Sequence, residues 1–367
     1  MRKFILISPK NRTVYNFRGD LIKAIQNEGY EVIVTGPDKT DIDKIEALGV
    51  KFVEIPVNKT GTSILGDIKY CKNLYNLFKK EKPNVTLGYT VKPVIYGAIA
   101  AKLAGVKNIN SMVTGGGYVF TAKTLKAKAL GIIVKILYKL GFSKAKNVIF
   151  QNPDDLKEFT NLGLVKKEKC FVVNGSGVNM EFFTPKPYPN EISFFMLSRL
   201  LKSKGVEEYL KACEIVKAKY PNTKFYLLGK YEYEMQDAIS KDFVEYFIHK
   251  GIVERFEETS DVRPYYEKCS VYVLPSYREG TPRTVLEAMA MGRPIITTDT
   301  NGCRETVKDG INGFLVPVKD AEKLSKAMVK FIENPTIIDK MGLESINYCK
   351  QKFDVNVVNG NMMKVIL

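Results

Sequence analysis

Two glutamates, Glu279 and Glu287, stand eight positions apart in YREGTPRTVLEAMAMGRPIITTD (277–299), a stretch otherwise rich in small and apolar residues. Thr281 suits a helix N-cap and Pro282 the first helical position, so a helix should begin directly after Tyr-Arg-Glu-Gly. Glu279 then occupies a loop. Glu287 lies in the second turn of a helix whose free N–H groups and dipole attract an anion. Carboxylates accept hydrogen bonds from neutral hydroxyls, while backbone amides take phosphates. A second stretch, EISFFMLSRLLKSKGVEEYLKA (191–212), reads as a strand, a turn carrying Arg199, Lys202 and Lys204, a glycine and a helix. Cations on the loop after a strand can neutralise a diphosphate, and the planar fork of arginine can clamp it from two sides. Taken singly, a loop glutamate, a helix-face glutamate and a basic turn are ordinary solvated features. Taken together they suit a sugar nucleotide, with phosphates on Arg199, Lys204 and the helix N-terminus and hydroxyls on the two carboxylates.

The elements that must position these residues alternate along the chain. KFILIS, YEVIVTG, VKFVEI, NVTLGY, KNVIFQN and KCFVVNG in the first half, then EISFFML, TKFYLLG, VYVLPS and PIITTD in the second, are short β-branched or aromatic runs separated by longer amphipathic ones. That alternation predicts an α/β protein with two doubly wound, parallel-stranded domains. At 367 residues and 45% hydrophobic content, two cores are expected. Three prolines between Pro185 and Pro189 mark the linker, dividing the chain into residues 1–185 and 186–367, with the last helix free to cross back to the first domain. Facing one another, such domains would bring the carboxyl ends of their strands to a central cleft.

Composition excludes several classes of function. Six cysteines without a CxxC pair and a single histidine, His249, argue for structural thiols in a reduced compartment rather than for a metal centre. No run of about 18 apolar residues is present, so no membrane-spanning helix is expected. The short apolar run of MRKFILISPK reads as a first strand, not a signal peptide. Charge is lopsided: residues 1–185 hold 29 Lys/Arg against 15 Asp/Glu, a net of +14, whereas 186–367 hold 27 against 25, a net of +2. Between Lys82 and Pro153 there are 11 lysines and no acid. Within that region TLKAKALGIIVKILYKLGFSKAK (124–146) suits a helix lying on an anionic bilayer surface, with Lys126, Lys128, Lys135 and Lys139 on headgroups. A core helix with a solvated lysine face is the alternative. Nucleic acid is not expected as a partner, because no binding motif accompanies the charge.

SRLLKSKG, EGTPRTVLE, AMAMGRPIITTDTNGCRETVKDGINGFLVPVKD and YCKQKFDV resemble the retaining GT-B glycosyltransferases of family 4. The resemblance implies that Arg199 and Lys204 hold the donor diphosphate and stabilise it as leaving group. It implies that Glu279 contacts donor-sugar hydroxyls, that Glu287 takes the ribose hydroxyls, and that Gly280, Thr281 and Pro282 form the turn beside the diphosphate. In the first half, PKNRTVYNFRGDLIKAI and INSMVTGGGYVFT are similar to bacterial enzymes that extend a sugar on undecaprenyl diphosphate. This places Arg18, Thr114, Gly115, Gly116 and Tyr118 on the acceptor side. It implies a UDP-sugar donor, a hexose or N-acetylhexosamine with N-acetylgalactosamine the best guess, and a polyprenyl-diphosphate-linked saccharide as acceptor. Two departures stand out. Ser8-Pro9-Lys10-Asn11-Arg12-Thr13 replaces the glycine pair of many members, and MVTGGGYVF carries no histidine.

Without a histidine near the site, retention is expected by front-face attack, in which the departing phosphate oxygen takes the acceptor proton while Arg199 and Lys204 neutralise the developing charge. A glycosyl-enzyme intermediate on Glu279 is the alternative. No metal and no cofactor are expected. Asp41-Ile42-Asp43 has a metal-binding spelling, but its place at a helix start reads as capping. The expected location is cytoplasmic, peripheral on the inner face of the plasma membrane. A soluble acceptor or UDP-sugar epimerase chemistry are the nearest rivals.

Overall fold

A computed structural model describes residues 1–58, 63–115 and 125–367, with side chains 125–129 outside the description. The chain forms two compact units, Met1–Ser176 with Asn356–Leu367, and Gly177–Val355.

The first unit runs β1 (Arg2–Ile7), α1 (Asn11–Asn27), β2 (Tyr30–Gly36), α2 (Ile42–Glu46), β3 (Lys51–Glu54), α3 (Ile64–Glu81), β4 (Val85–Tyr89), α4 (Ala98–Leu103), β5 (Asn108–Val113), α5 (Leu125–Lys144), β6 (Asn147–Phe150), α6 (Pro153–Asn161) and β7 (Cys170–Val172). Its sheet is parallel throughout, in the order β3-β2-β1-β4-β5-β6-β7. The central strands are apolar on both faces because both are covered, one core layer containing Ile5, Tyr70, Val94 and Phe142, the other Phe4, Leu21, Leu87 and Met112. Side chains set several helix starts: Ser63 accepts from Gly66 N–H, and Asn152 from Asp155 N–H. Asp41 does not cap, contrary to the sequence reading. It adopts a left-handed backbone, and its carboxylate takes Lys44 Nζ at 2.9 Å and Tyr15 Oη at 3.0 Å.

The second unit continues with β8 (Ser193–Leu197), α7 (Val206–Lys219), β9 (Lys224–Leu228), α8 (Lys241–His249), β10 (Glu254–Phe256), α9 (Arg263–Glu267), β11 (Val271–Leu274), α10 (Arg283–Ala290), β12 (Ile295–Thr298), β13 (Gly313–Val316), α11 (Ala321–Glu333) and α12 (Thr336–Lys352). The sheet order is β10-β9-β8-β11-β12-β13, again parallel. The last helix, α13 (Val355–Ile366), packs on the first unit through Val358, Met362 and Ile366, and Asn108 and Asn147 donate to the carbonyls of Ile366 and Val365 at 2.8 and 2.7 Å.

The division falls at Ser176/Gly177, ahead of the proline-rich segment that the sequence reading takes as the linker. Prolines leave carbonyls without neighbouring N–H donors, and the fully buried Arg293 fills that need, donating Nη1 to Lys186 O at 2.9 Å and Nη2 to Pro187 O at 3.0 Å. Tyr188 Oη adds a bond to Gly292 O at 2.6 Å. The segment is therefore strapped along the second unit.

At the amino ends of the first sheet, Glu81 accepts from Lys3 and Lys51, both at 2.6 Å, tying α3 to β1 and β3. These hydrogen bonds, Lys3 first, hold its carboxyl down at about 2. A depressed carboxyl stabilises the fold above its unfolded value and loses that contribution as pH falls through about 4.5 toward 2. Glu81→Gln should lower Tm at pH 7 by about 2–4 °C, equivalent to roughly 1 kcal/mol. Thermal melts of both proteins from pH 7 to pH 2 should show that gap closing in the acid range; a gap independent of pH would contradict the assignment.

Candidate functional site

In each sheet the chain reverses its direction of winding between two neighbouring strands, β1 and β4 in the first unit, β8 and β11 in the second. Ligands in open α/β sheets bind outside the carboxyl ends of strands at such switch points.

In the second unit, the loop after β8 runs through residues 198–201 into a single 3-10 turn, Lys202–Lys204, and Gly205 opens α7. Gly205 has φ +73°, and a Cβ there would stand 2.1 Å from Pro275 O. Glycine alone lets the loop after β8 lie against the loop after β11. Tyr277 N–H donates to Ser203 O at 2.9 Å, and Tyr277 Oη to Glu208 at 2.8 Å. The loop after β12 completes the stack. Glu279 N–H donates to Asn301 O at 3.0 Å, Thr300 Oγ1 to Tyr277 O at 2.9 Å, and a Cβ on Gly302 would meet Glu279 O and Gly280 O at 2.3 Å.

This packing brings Lys204, from the loop after β8, to Glu279, from the loop after β11, with Nζ–Oε1 at 2.5 Å and the side chains 21% and 15% exposed. Arg199 is exposed on the same loop, and among the described residues no carboxylate lies within ion-pair distance of it. The site thus holds one exposed cation and one cation engaged by the carboxylate expected to serve sugar hydroxyls.

Pro282 is the N-cap of α10 and Arg283 its first residue, one position later than the sequence reading assigns. Pro282 has an extended ψ of 106°, so it precedes the helix instead of opening it, and Thr281 with Gly280 stays in the loop. Glu287 is buried. Its Oε1 takes Arg283 Nε at 3.2 Å and its Oε2 takes Tyr266 Oη at 3.1 Å. Burial raises its pKa, opposed by the Arg283 guanidinium and the Tyr266 hydroxyl. Arg283 also donates Nη1 to Gly177 O at 2.6 Å. Arg283 and Tyr266 were not singled out by sequence; the Arg-to-Glu spacing of four within one helix is the signal that could have found the first.

In the first unit, Arg18 of α1 is buried with its guanidinium 5.2 Å from the Tyr89 ring centroid and Nη2 at 3.3 Å from Met112 Sδ. Tyr89, at the end of β4, joins Ser8 Oγ at 2.6 Å and Thr13 Oγ1 at 2.9 Å. These hydroxyls gather at the β1/β4 switch point, and segment 8–13, which departs from the glycine pair named above and runs from the loop after β1 into the first turn of α1, supplies two of them. Thr114 and Gly115 follow β5 directly, two and three residues beyond Met112. Gly116 and Tyr118 lie outside the described residues. Of the four lysines expected on a membrane, Lys135 and Lys139 are described, half-buried and exposed, while the side chains of Lys126 and Lys128 lie outside the description. Among the described residues no group of three or more His, Cys, Asp or Glu could hold a metal, and no helix is long and apolar enough to cross a membrane.

Residues 179–350 match the family described as glycosyl transferases group 1, and residues 4–152 the one described as glycosyl transferase 4-like. With its two Rossmann-like parallel sheets, the chain is a GT-B glycosyltransferase built of these two domains. It is 28% identical over 380 residues to the N,N′-diacetylbacillosaminyl-diphospho-undecaprenol alpha-1,3-N-acetylgalactosaminyltransferase of Campylobacter jejuni, across 98% of this chain and 96% of that protein. It is 26% identical to the UDP-Gal:alpha-D-GlcNAc-diphosphoundecaprenol alpha-1,3-galactosyltransferase of Escherichia coli, across 84% of this chain and 80% of that one. Among solved structures, HepE from Anabaena in complex with UDP and glucose superposes with a TM-score of 0.80 at 17% identity, over 99% of both chains.

Gly205→Ala should cost at least about 2 kcal/mol, since it adds left-handed strain to a collision with Pro275 O. Denaturant unfolding that leaves the midpoint unchanged would show that the loops do not need this approach.

Proposed function

We propose that this enzyme transfers N-acetylgalactosamine, or a related hexose or N-acetylhexosamine, from a UDP-sugar to a polyprenyl-diphosphate-linked saccharide, with retention and without a metal. The observation that carries the reading is the Lys204–Glu279 ion pair at the β8/β11 switch point, with buried Glu287 on the adjoining helix. The likeness to the Campylobacter jejuni enzyme supports the acceptor class.

The donor diphosphate displaces Glu279 from Lys204, and Arg199 swings onto the same phosphates. Glu279, so released, accepts hydrogen bonds from the sugar hydroxyls, and Glu287 accepts those of the ribose. The bond between the anomeric carbon and the β-phosphate oxygen breaks as the acceptor oxygen bonds to that carbon on the same face. The departing phosphate oxygen takes the acceptor's proton, so no protein base is required, and Arg199 and Lys204 stabilise the charge that accumulates on the leaving group. The single histidine, His249, is exposed on α8 with Glu245 at 3.9 Å, and the proposal gives it no part in the step.

The first unit would rest on the inner face of the membrane. Ile132, Ile133 and Ile136 of α5 are 61%, 55% and 62% exposed, Leu140 continues the stripe, and α5 contains no acid. Ile64, Leu65 and Ile68 in the first turns of α3 are exposed as well. Lysine stems and apolar side chains of this kind suit an anionic interface.

Calorimetric titration with UDP-, GDP- and ADP-sugars, with and without EDTA, tests the donor. One UDP-sugar should bind saturably and independently of EDTA, and Lys204→Ala should weaken UDP by about 10- to 100-fold, as removal of a charge-assisted contact does. Binding of none of these donors would reject the reading. Because burial lifts the Glu287 carboxyl, UDP affinity should begin to fall at a pH above the ordinary glutamate range, and Glu287→Gln should abolish that dependence. Replacing Lys126, Lys128, Lys135 and Lys139 with Gln should release the protein from anionic vesicles; undiminished pelleting would reject this helix as the membrane-binding element.

A further inference from the structure

The loop after β9, residues 229–239, has no regular secondary structure beyond isolated bridges, yet it is bonded along its length to the loop that carries Lys204. Leu200 N–H donates to Lys230 O at 3.1 Å, Ile239 N–H to Leu200 O at 3.2 Å, and Leu201 and Ala238 form an antiparallel bridge. The contacts converge on Asp237. Its carbonyl takes Lys202 N–H at 2.8 Å, and its Oδ2 takes both Ser203 N–H at 3.4 Å and Ser203 Oγ. Ser203 is thereby held from two sides, since its own carbonyl receives Tyr277 N–H. Lys202 and Lys204 flank Ser203, but among the described residues Asp237 forms no ion pair: Lys202 is paired with Glu207 at 3.6 Å and Lys204 with Glu279. The Asp237 carboxylate is thus engaged by Ser203 and by neither flanking lysine, so its effect on Lys204 runs through the backbone of the turn.

From this arrangement we propose that Asp237 is the positioning residue of Lys204: by holding Ser203 it fixes the 3-10 turn that aims the ammonium at the donor diphosphate. The inference rests on the donor-site reading above. It requires hydrogen-bond acceptance at position 237 and not negative charge, because the bonds go to an N–H and a hydroxyl. A turn left to relax by about 1 Å would cost up to about 100-fold in reaction rate.

UDP affinity and Tm, measured on Asp237→Ala, Asp237→Asn, Lys204→Ala and the Asp237→Ala/Lys204→Ala double variant, test it. Asp237→Ala should weaken UDP by about 10-fold, Asp237→Asn by no more than about threefold, and the double variant should bind no worse than Lys204→Ala. If Asp237→Ala does not fold, Ser203→Ala carries the test, with a loss of several-fold expected. Wild-type affinity in the alanine variants, equal losses in Asp237→Ala and Asp237→Asn, or additive losses in the double variant would each overturn the proposal. Undiminished UDP binding by Lys204→Ala alone would overturn the donor-site reading itself and is read independently of Asp237.

Discussion

Lys204 and Glu279 can meet only because two backbones approach more closely than any side chain would permit. Gly205 lies under Pro275 O and Gly302 under the carbonyls of Glu279 and Gly280, so the loops after β8, β11 and β12 stack without intervening side chains. Both glycines are left-handed, and both would have to be rebuilt by any residue with a Cβ. Once the loops are stacked, the cross-bonds among Ser203, Tyr277, Thr300 and Asn301 follow from which N–H faces which carbonyl. The charged side chains are held at that contact as a consequence. Position in the site is therefore set by the strands' carboxyl ends, and chemistry by the few side chains that project from them.

The two carboxylates are held by different physics. Glu279 is partly exposed and paired with a lysine; on the proposed reading an incoming diphosphate takes its place at Lys204, and the released carboxylate is satisfied by the sugar hydroxyls instead. Glu287 is buried, and burial alone would drive it toward its neutral form. Arg283 from the preceding turn of α10 and the Tyr266 hydroxyl from α9 occupy one oxygen each and keep acceptor capacity in place. Arg283 reaches further, to Gly177 O, so the helix that carries Glu287 is also tied to the residue at which the second unit begins.

Much of this was legible in the sequence. Strands such as FILI and FFML are uniformly apolar because helices cover both faces of a parallel sheet, and that pattern marks an α/β fold in either half. The Glu279/Glu287 spacing and the basic loop before Gly205 were legible for a related reason: each follows a strand directly, so its place at the carboxyl end of a sheet is implied by one dimension of the chain. What the sequence did not show was long-range. The proline cluster at 185–189 looks like a linker unless Arg293, more than a hundred residues later, is known to saturate its carbonyls. Tyr266, 21 residues from Glu287, and Asp237, 34 from Ser203, carry no local signal that they meet those partners. The helix start at Arg283 in place of Pro282 turned on a single extended ψ.

The split of charge between the halves bears on what the first unit meets. In the second, Lys204, Arg283, Arg304 and Lys352 each answer a nearby carboxylate, so its cations act locally. In the first, the run from Lys82 to Pro153 contains no acid, although Lys92 reaches Asp67 of α3 at 2.5 Å, and the net excess of the unit becomes a field over a surface, fading within about 8 Å at physiological ionic strength. A soluble polyanion would satisfy that field but would leave Ile132, Ile133 and Ile136 in water. On the proposed reading, an anionic bilayer satisfies both demands at once, since each lysine near it gains about 1 kcal/mol while the isoleucines leave solvent for the acyl boundary. The same surface would present a polyprenyl-linked acceptor to the first unit, whose Arg18, Ser8, Thr13 and Tyr89 gather at its own switch point.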